Sequence, residues 1–165
     1  MNHAILLPII LPLVTAILLI LLSGRRRVIR TISLLSTLAL VGVSIVLLMQ
    51  ANDGQIRLYA PGNWAPPFGI ILVLDRLSAM MLAVTAVLAF FSIAYAVRGH
   101  DAPGDRLHGM VHFLLVGVNG AFLTGDLFNL FVFFEILLIS SYGLLLHGRG
   151  VERARSGLHY VIVNL

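Results

Sequence analysis

Leu127-Phe-Asn-Leu-Phe-Val-Phe-Phe-Glu135-Ile-Leu-Leu-Ile-Ser-Ser-Tyr142-Gly-Leu-Leu-Leu146 decides the fold. As one helix it is long and apolar enough to cross about 30 Å of hydrocarbon, which takes about 20 residues. A water-facing helix would show one apolar stripe and one polar face. Here apolar side chains surround the axis, so the predicted surroundings are lipid and other helices. Glu135 breaks the pattern eight residues after Leu127. That is about 12 Å along a helix, close to the bilayer midplane. An ionised carboxylate at that depth costs about 2.5–3.5 kcal/mol on insertion scales. Protonation, a cationic partner or a hydrated cavity offsets the cost. Each makes Glu135 a group that gains and loses a proton at moderate pH. The plain alternative is a protonated acid hydrogen-bonded to a neighbouring helix, with no transport role.

Outward from this segment, residues 5–22, 31–49, 77–97 and 107–124 meet the same length and polarity test. A sixth apolar stretch begins near Ser156 and runs to Leu165. The expected fold is all-α: a polytopic transmembrane bundle of five complete spans plus the start of a sixth. Residues 1–165 then form one transmembrane region without a soluble domain, the N-terminal part of a longer protein. Composition agrees, with 59% hydrophobic and 11% charged residues, against about 25% charged in soluble domains.

The arginines give an orientation. Arg25, Arg26, Arg27 and Arg30 follow the first span, Arg98 and Arg106 lie between the third and fourth, and Arg149, Arg153 and Arg155 follow the fifth. These connections alternate along the chain and therefore share one side. Only Arg57 and Arg76 fall on the other. The positive-inside bias makes the arginine-rich side cytoplasmic and the N-terminus external. Met1-Asn2-His3 has no basic n-region, so the first span is read as retained, not as a signal peptide. The arginines sit at span ends and form no basic face for nucleic acid. Cysteine is absent and the histidines lack zinc spacing, so no metal site or disulfide is expected.

Other residues are placed by the same reasoning. His112 and His159 fall on the cytoplasmic side of Glu135 as candidates for a proton path, with a packing role weighed beside it. Tyr142 lies seven residues after Glu135, on the same helical face. Ser140 and Ser141 either line a wet path or bond back to their own helix. Gly117 and Gly120 permit close helix approach, and Asn119 can bond across helices. Asp75 and Asp126 read as N-caps, while Pro8 and Pro12 loosen or kink the first span. Tyr59 and Trp64 suit an interfacial aromatic belt. Residues 69–74 are apolar but too short to span, so they lie in the outer interface or pack on the bundle.

The run from Thr124-Gly-Asp-Leu-Phe-Asn-Leu-Phe-Val-Phe-Phe-Glu135 through Ser140-Ser-Tyr-Gly-Leu-Leu-Leu-His147-Gly148 closely resembles the D subunit of the multisubunit Mrp-type sodium(potassium)/proton antiporters. Gly62-Asn-Trp64, Pro67-Phe-Gly69, Asp75-Arg-Leu-Ser-Ala79 and Gly157-Leu-His-Tyr-Val-Ile-Val-Asn-Leu165 extend the resemblance over nearly the whole chain. The larger family includes antiporter-like proton-pumping subunits of respiratory complex I and of membrane-bound hydrogenases. The resemblance implies about fourteen helices in two inverted five-helix repeats. It also implies that Glu135 pairs with a lysine on a seventh helix, beyond these residues. The implied function is a proton-translocating subunit of a monovalent cation/proton antiporter in a bacterial inner membrane, a transporter subunit and not an enzyme. It implies other antiporter subunits, the lipid bilayer, protons and Na+ or K+ as partners, and no cofactor. The rivals are a membrane-arm subunit of a complex I-like oxidoreductase or hydrogenase, and a truncated remnant that transports nothing.

Overall fold

The computed structural model describes residues 3–63, 69–99, 101, 106–147 and 151–164. Six helices follow in chain order: α1 (Leu7–Leu21), α2 (Arg26–Ala51), α3 (Arg76–Ala96), α4 (Leu107–Leu123), α5 (Leu127–Leu145) and α6 (Val151–Asn164). A 3-10 turn, His3–Leu6, leads into α1. With that turn, α1 joins α2, α3 and α5 as helices long and apolar enough to cross a membrane. The apolar α4 has 17 residues, at the short end of the about 17–25 that spanning takes. The all-α bundle expected from the apolar blocks is thus observed. Trp64, Pro67, Phe68, Gly148, Arg149 and Leu165 lie outside the described residues, as does the side chain of Arg153.

Three elements differ from expectation: α2 starts at Arg26, ahead of Thr31. α6 starts at Val151, ahead of Ser156. Glu152-Arg153-Ala154-Arg155 are good helix formers that a hydropathy window passes over. Residues 69–74 contain a strand, β2 (Leu72–Leu74), which pairs antiparallel with β1 (Arg57–Tyr59). Leu72 and Leu74 are buried, so this stretch packs on the bundle. It is fastened to the α4–α5 turn by the Gly125 N–H, which donates to the Ile71 carbonyl at 2.8 Å. Tyr59 is also buried and does not lie in an exposed belt; its hydroxyl meets His3 Nδ1 at 2.9 Å. The N-terminal turn, the hairpin and the α4–α5 turn therefore gather at one end of the bundle.

Both predicted caps are present. Asp75 accepts from the Ser78 N–H at 2.7 Å, and the Asp75 N–H donates back to Ser78 Oγ, closing a capping box. Asp126 accepts from the Asn129 N–H at 2.8 Å and starts α5 directly after the turn.

α4 is the central helix, packed against α1, α3 and α5. Small residues on it let its neighbours come close, which matters where lipid removes the hydrophobic drive between helices. A Cβ at Gly117 would lie 2.7 Å from the Leu137 backbone nitrogen of α5, and one at Gly120 would enter the Phe133 ring. Gly109 faces Ile20 and Ala16 of α1 less tightly, a Cβ there lying 3.2 Å from the Ile20 side chain. α1 continues through Pro12. Proline has no N–H to offer the carbonyl four residues back, so the Pro8 carbonyl loses its helical partner. Asn119 of α4 fills the gap, its Nδ2 donating to the Pro8 oxygen at 2.8 Å.

Candidate functional site

Glu135 stands in the middle turns of α5, half-buried. Among the described residues it makes no hydrogen bond or ion pair. α5 lies at the edge of the bundle: Ser140 is its one buried residue. The helix meets α4 through Phe133 and Leu137 on Gly117 and Gly120, and through Gly143 on Met110. These contacts set an antiparallel register. Glu135 stands near the level of Gly117, and His112 near that of Ser140 and Ser141.

The other candidates occupy distinct places. His112 is fully buried in α4, its Nδ1 against the His108 carbonyl oxygen at 2.8 Å. Its Nε2 is buried with no hydrogen-bond partner among the described residues. The Tyr142 hydroxyl is likewise buried without a partner, while its ring packs edge-on against Tyr160 of α6. His159 is exposed on α6, in an open groove with Arg155, Leu158 and Ile162. No hydrogen bond joins any two of Glu135, His112, Tyr142 and His159 among the described residues. Ser140 and Ser141 donate to the Ile136 and Leu138 carbonyls of their own helix, both at 2.7 Å. That is the back-bonding alternative to a wet path.

One polar constellation escaped the sequence reading. At the arginine-rich end, Arg30 of α2 grips Asp101 with Nε to Oδ2 at 2.7 Å and a terminal nitrogen to Oδ1 at 2.6 Å. This two-point fork is the strongest common ion-pair geometry. Asp101 also meets His108 Nε2 at 3.1 Å, and His108 Nδ1 meets Ser33 Oγ at 3.0 Å. Asp101, His108 and Ser33 are all buried. The Arg30 hydrogen bonds, helped by His108 against the opposing effect of burial, hold the Asp101 carboxyl down at about 2. The legible signal was two histidines four apart on one helix face, with an acid seven residues before the first. The partners Arg30 and Ser33 lie more than 70 residues away in sequence, where no local pattern reaches. The Arg30–Asp101 pair also places the α1–α2 and α3–α4 connections at the same end, as the arginine count implied.

At the other end, electrostatics is local. Asp53 is held below its ordinary range by hydrogen bonds from Arg57 and the Gln55 N–H. Asp75 and Asp126 are lowered by the N–H groups of Ser78 and Asn129 that they cap. Among the described residues, no group of histidine, aspartate and glutamate is arranged to hold a metal ion.

No family model matches the chain. Curated proteins do. It is 48% identical over its whole length to a Rhizobium meliloti protein named as the D subunit of a probable K(+)/H(+) antiporter. It is 38% identical to the D subunit of the Na(+)/H(+) antiporter of Alkalihalophilus pseudofirmus and 36% identical to that of Bacillus subtilis. The chain spans about one third of the length of these relatives (32–34%). Among solved structures, a chain of the Mrp complex from a Dietzia species matches with TM-score 0.91 and 34% identity, over 99% of this chain and 32% of that one. A chain of the membrane-bound sulfane sulfur reductase, an archaeal respiratory membrane complex, matches with TM-score 0.90 and 30% identity, over 98% of this chain and 34% of that one. With its apolar helices and these likenesses, the chain is a multi-pass membrane protein similar over its whole length to about one third of the length of proteins named as D subunits of cation/proton antiporters and of a chain of an Mrp complex.

Proposed function

We propose that this chain forms part of a proton-translocating subunit of a multisubunit monovalent cation/proton antiporter in a bacterial inner membrane. The observation that supports it most is Glu135, a half-buried acid in the middle of an apolar helix, without a partner among the described residues. Uncompensated charge there is costly, so the carboxylate calls for a cation or hydration supplied from elsewhere. The 165 residues contain no lysine, so a lysine partner would come from another segment or another polypeptide. In this reading residues 1–165 are one transmembrane region, the N-terminal part of the subunit. Other antiporter subunits are its partners, and protons with Na+ or K+ are the species moved. His112 and Tyr142 contribute buried polar atoms on the arginine-rich side of Glu135. His159, exposed on α6, is the outermost member of such a path.

The test is antiport in everted membrane vesicles carrying the full assembly. Glu135→Gln keeps the shape and removes the exchangeable proton, and should abolish cation-dependent proton release while leaving the assembly intact. Normal exchange in that variant would sink the mechanism.

A second reading is favoured by the close match to the respiratory complex chain. There the same bundle would belong to a redox-driven membrane arm. Purification of the native assembly distinguishes the two: redox cofactors in co-purifying subunits would favour the respiratory arm, and small membrane subunits without them the antiporter.

A further inference from the structure

The two buried histidines of α4 differ in what their ring nitrogens can do. His112 Nδ1 faces the His108 carbonyl oxygen. A carbonyl only accepts, so Nδ1 carries the proton and the neutral ring presents a bare acceptor at Nε2. His108 is engaged at both nitrogens. Its Nε2 faces the Asp101 carboxylate and therefore carries a proton, while its Nδ1 faces the Ser33 hydroxyl. A hydroxyl donates or accepts by turning about its C–O bond. It can donate to Nδ1 of a neutral His108 and accept from Nδ1–H of a charged one. The ring can thus change protonation state with no heavy atom displaced and no buried group left unsatisfied.

We propose that Ser33, His108 and Asp101, clamped by Arg30, form a proton-binding site of their own, separate from Glu135. Asp101 supplies the opposing charge at 3.1 Å. Arg30 fixes the carboxylate from the other side and is 32% exposed, so the network reaches the surface along its guanidinium. Loading takes a proton from water, forms the Nδ1–H bond and turns the Ser33 hydroxyl; release reverses each step. The site passes from neutral to one net positive charge.

The α3–α4 connection that carries Asp101 also holds the exposed Arg98 and Arg106; the packed elements add few competitors. α1 carries no titratable side chain. α3 carries Arg76 at the opposite end and the exposed Tyr95. α2 contributes Arg30 beside the exposed Arg26 and Arg27. α5 contributes Tyr142, near the level of Met110, and Glu135, farther in. On α4 itself the next group is His112, one turn inward, whose bare Nε2 is the nearest buried acceptor along the helix. Use of this site in transport rests on the antiporter reading; proton binding does not.

Nitrogen-15 NMR of the histidine-labelled full-length protein in lipid nanodiscs reads each ring's protonation state directly. Subtracting the spectrum of His108→Gln assigns the ring, and Ser33→Ala, which perturbs the same signal more gently, assigns it should that variant fail to fold. As the sample is acidified from about pH 8 to about pH 5, the His108 signal should pass from the neutral to the charged pattern. The transition should be the same in Glu135→Gln. Asp101→Asn should lower the proton affinity of His108 about tenfold or more, because an opposite charge at contact distance is lost. A His108 that keeps one protonation state across that range would overturn the proposal and leave the network a purely structural brace. Unchanged antiport in Glu135→Gln would count against the proposed function alone.

Discussion

A side-chain amide replaces a backbone donor at Asn119. Its bond to the Pro8 carbonyl closes the gap that Pro12 opens in α1. Interhelical hydrogen bonds in membranes are worth about 0.6–2 kcal/mol. Asn119→Leu should therefore lower stability by about 1 kcal/mol, read as a shifted midpoint in mixed-micelle unfolding. A variant as stable as the parent would show that the Pro8 carbonyl finds another donor. Asp101 behaves differently because its contribution is electrostatic. Its folded pKa lies at about 2, below the roughly 3.9 of a free aspartate. A lowered acid stabilises the fold above its unfolded value, and the effect fades as pH falls towards the folded one. The gap in melting temperature between the parent and Asp101→Asn should be full at about pH 6 and close between about pH 4 and pH 2. A gap that does not vary with pH would remove the ion pair from the account. At this scale the sequence was partly legible. Asp75, Asp126, Asn119 and the glycines of α4 announced their roles through position in a helix. His108 and Asp101 did not, because their partners come from α2.

Helices followed from hydropathy where they are apolar throughout, and less well where they are not. α6 begins inside Glu152-Arg153-Ala154-Arg155, which carries helix propensity and no apolar signal. Strands of three residues, such as β1 and β2, are too short for an alternating pattern to stand out. The α4–α5 pair packs closely, and glycine on α4 allows it. Gly117→Ala puts a methyl group 2.7–2.9 Å from the Leu137 and Phe133 backbones, so the helices must part. Gly42→Ala on α2 is the control, with nothing within 4 Å of the added carbon, and helix propensity alone favours alanine by up to about 1 kcal/mol. Spin labels on α4 and α5 should report a wider separation in Gly117→Ala and none in Gly42→Ala. Equal distances in both would mean that the hairpin absorbs the methyl group without parting.

The molecule as a whole has two unlike ends. One gathers His3, the hairpin and the α4–α5 turn; the other gathers Arg30, Asp101 and the exposed Arg25, Arg26 and Arg27. The alternation of arginine-rich connections anticipated this division without any tertiary information, since a chain of spans leaves each loop only two places to go. Cysteine is absent from these 165 residues, so single cysteines introduced into this stretch can report its orientation. Ser23→Cys should react with a membrane-impermeant maleimide only after cells are opened, and Gln55→Cys in intact cells. The reverse pattern would invert the topology and place Arg30 and His108 outside.

The Asn119 bond also bears on how the protein is made. The Pro8 carbonyl and its donor are 111 residues apart, and ribosomes add about 5–20 residues per second. The first helix thus exists for roughly 5–20 seconds before its hydrogen-bonding complement is synthesised. Bare lipid is a poor place to wait, because it offers a backbone carbonyl no hydrogen-bond donor. Such a helix should linger against the insertion machinery until α4 emerges, and crosslinks from α1 to that machinery should persist longer in Asn119→Leu. A single proline can in this way set the order in which a nascent membrane protein is released.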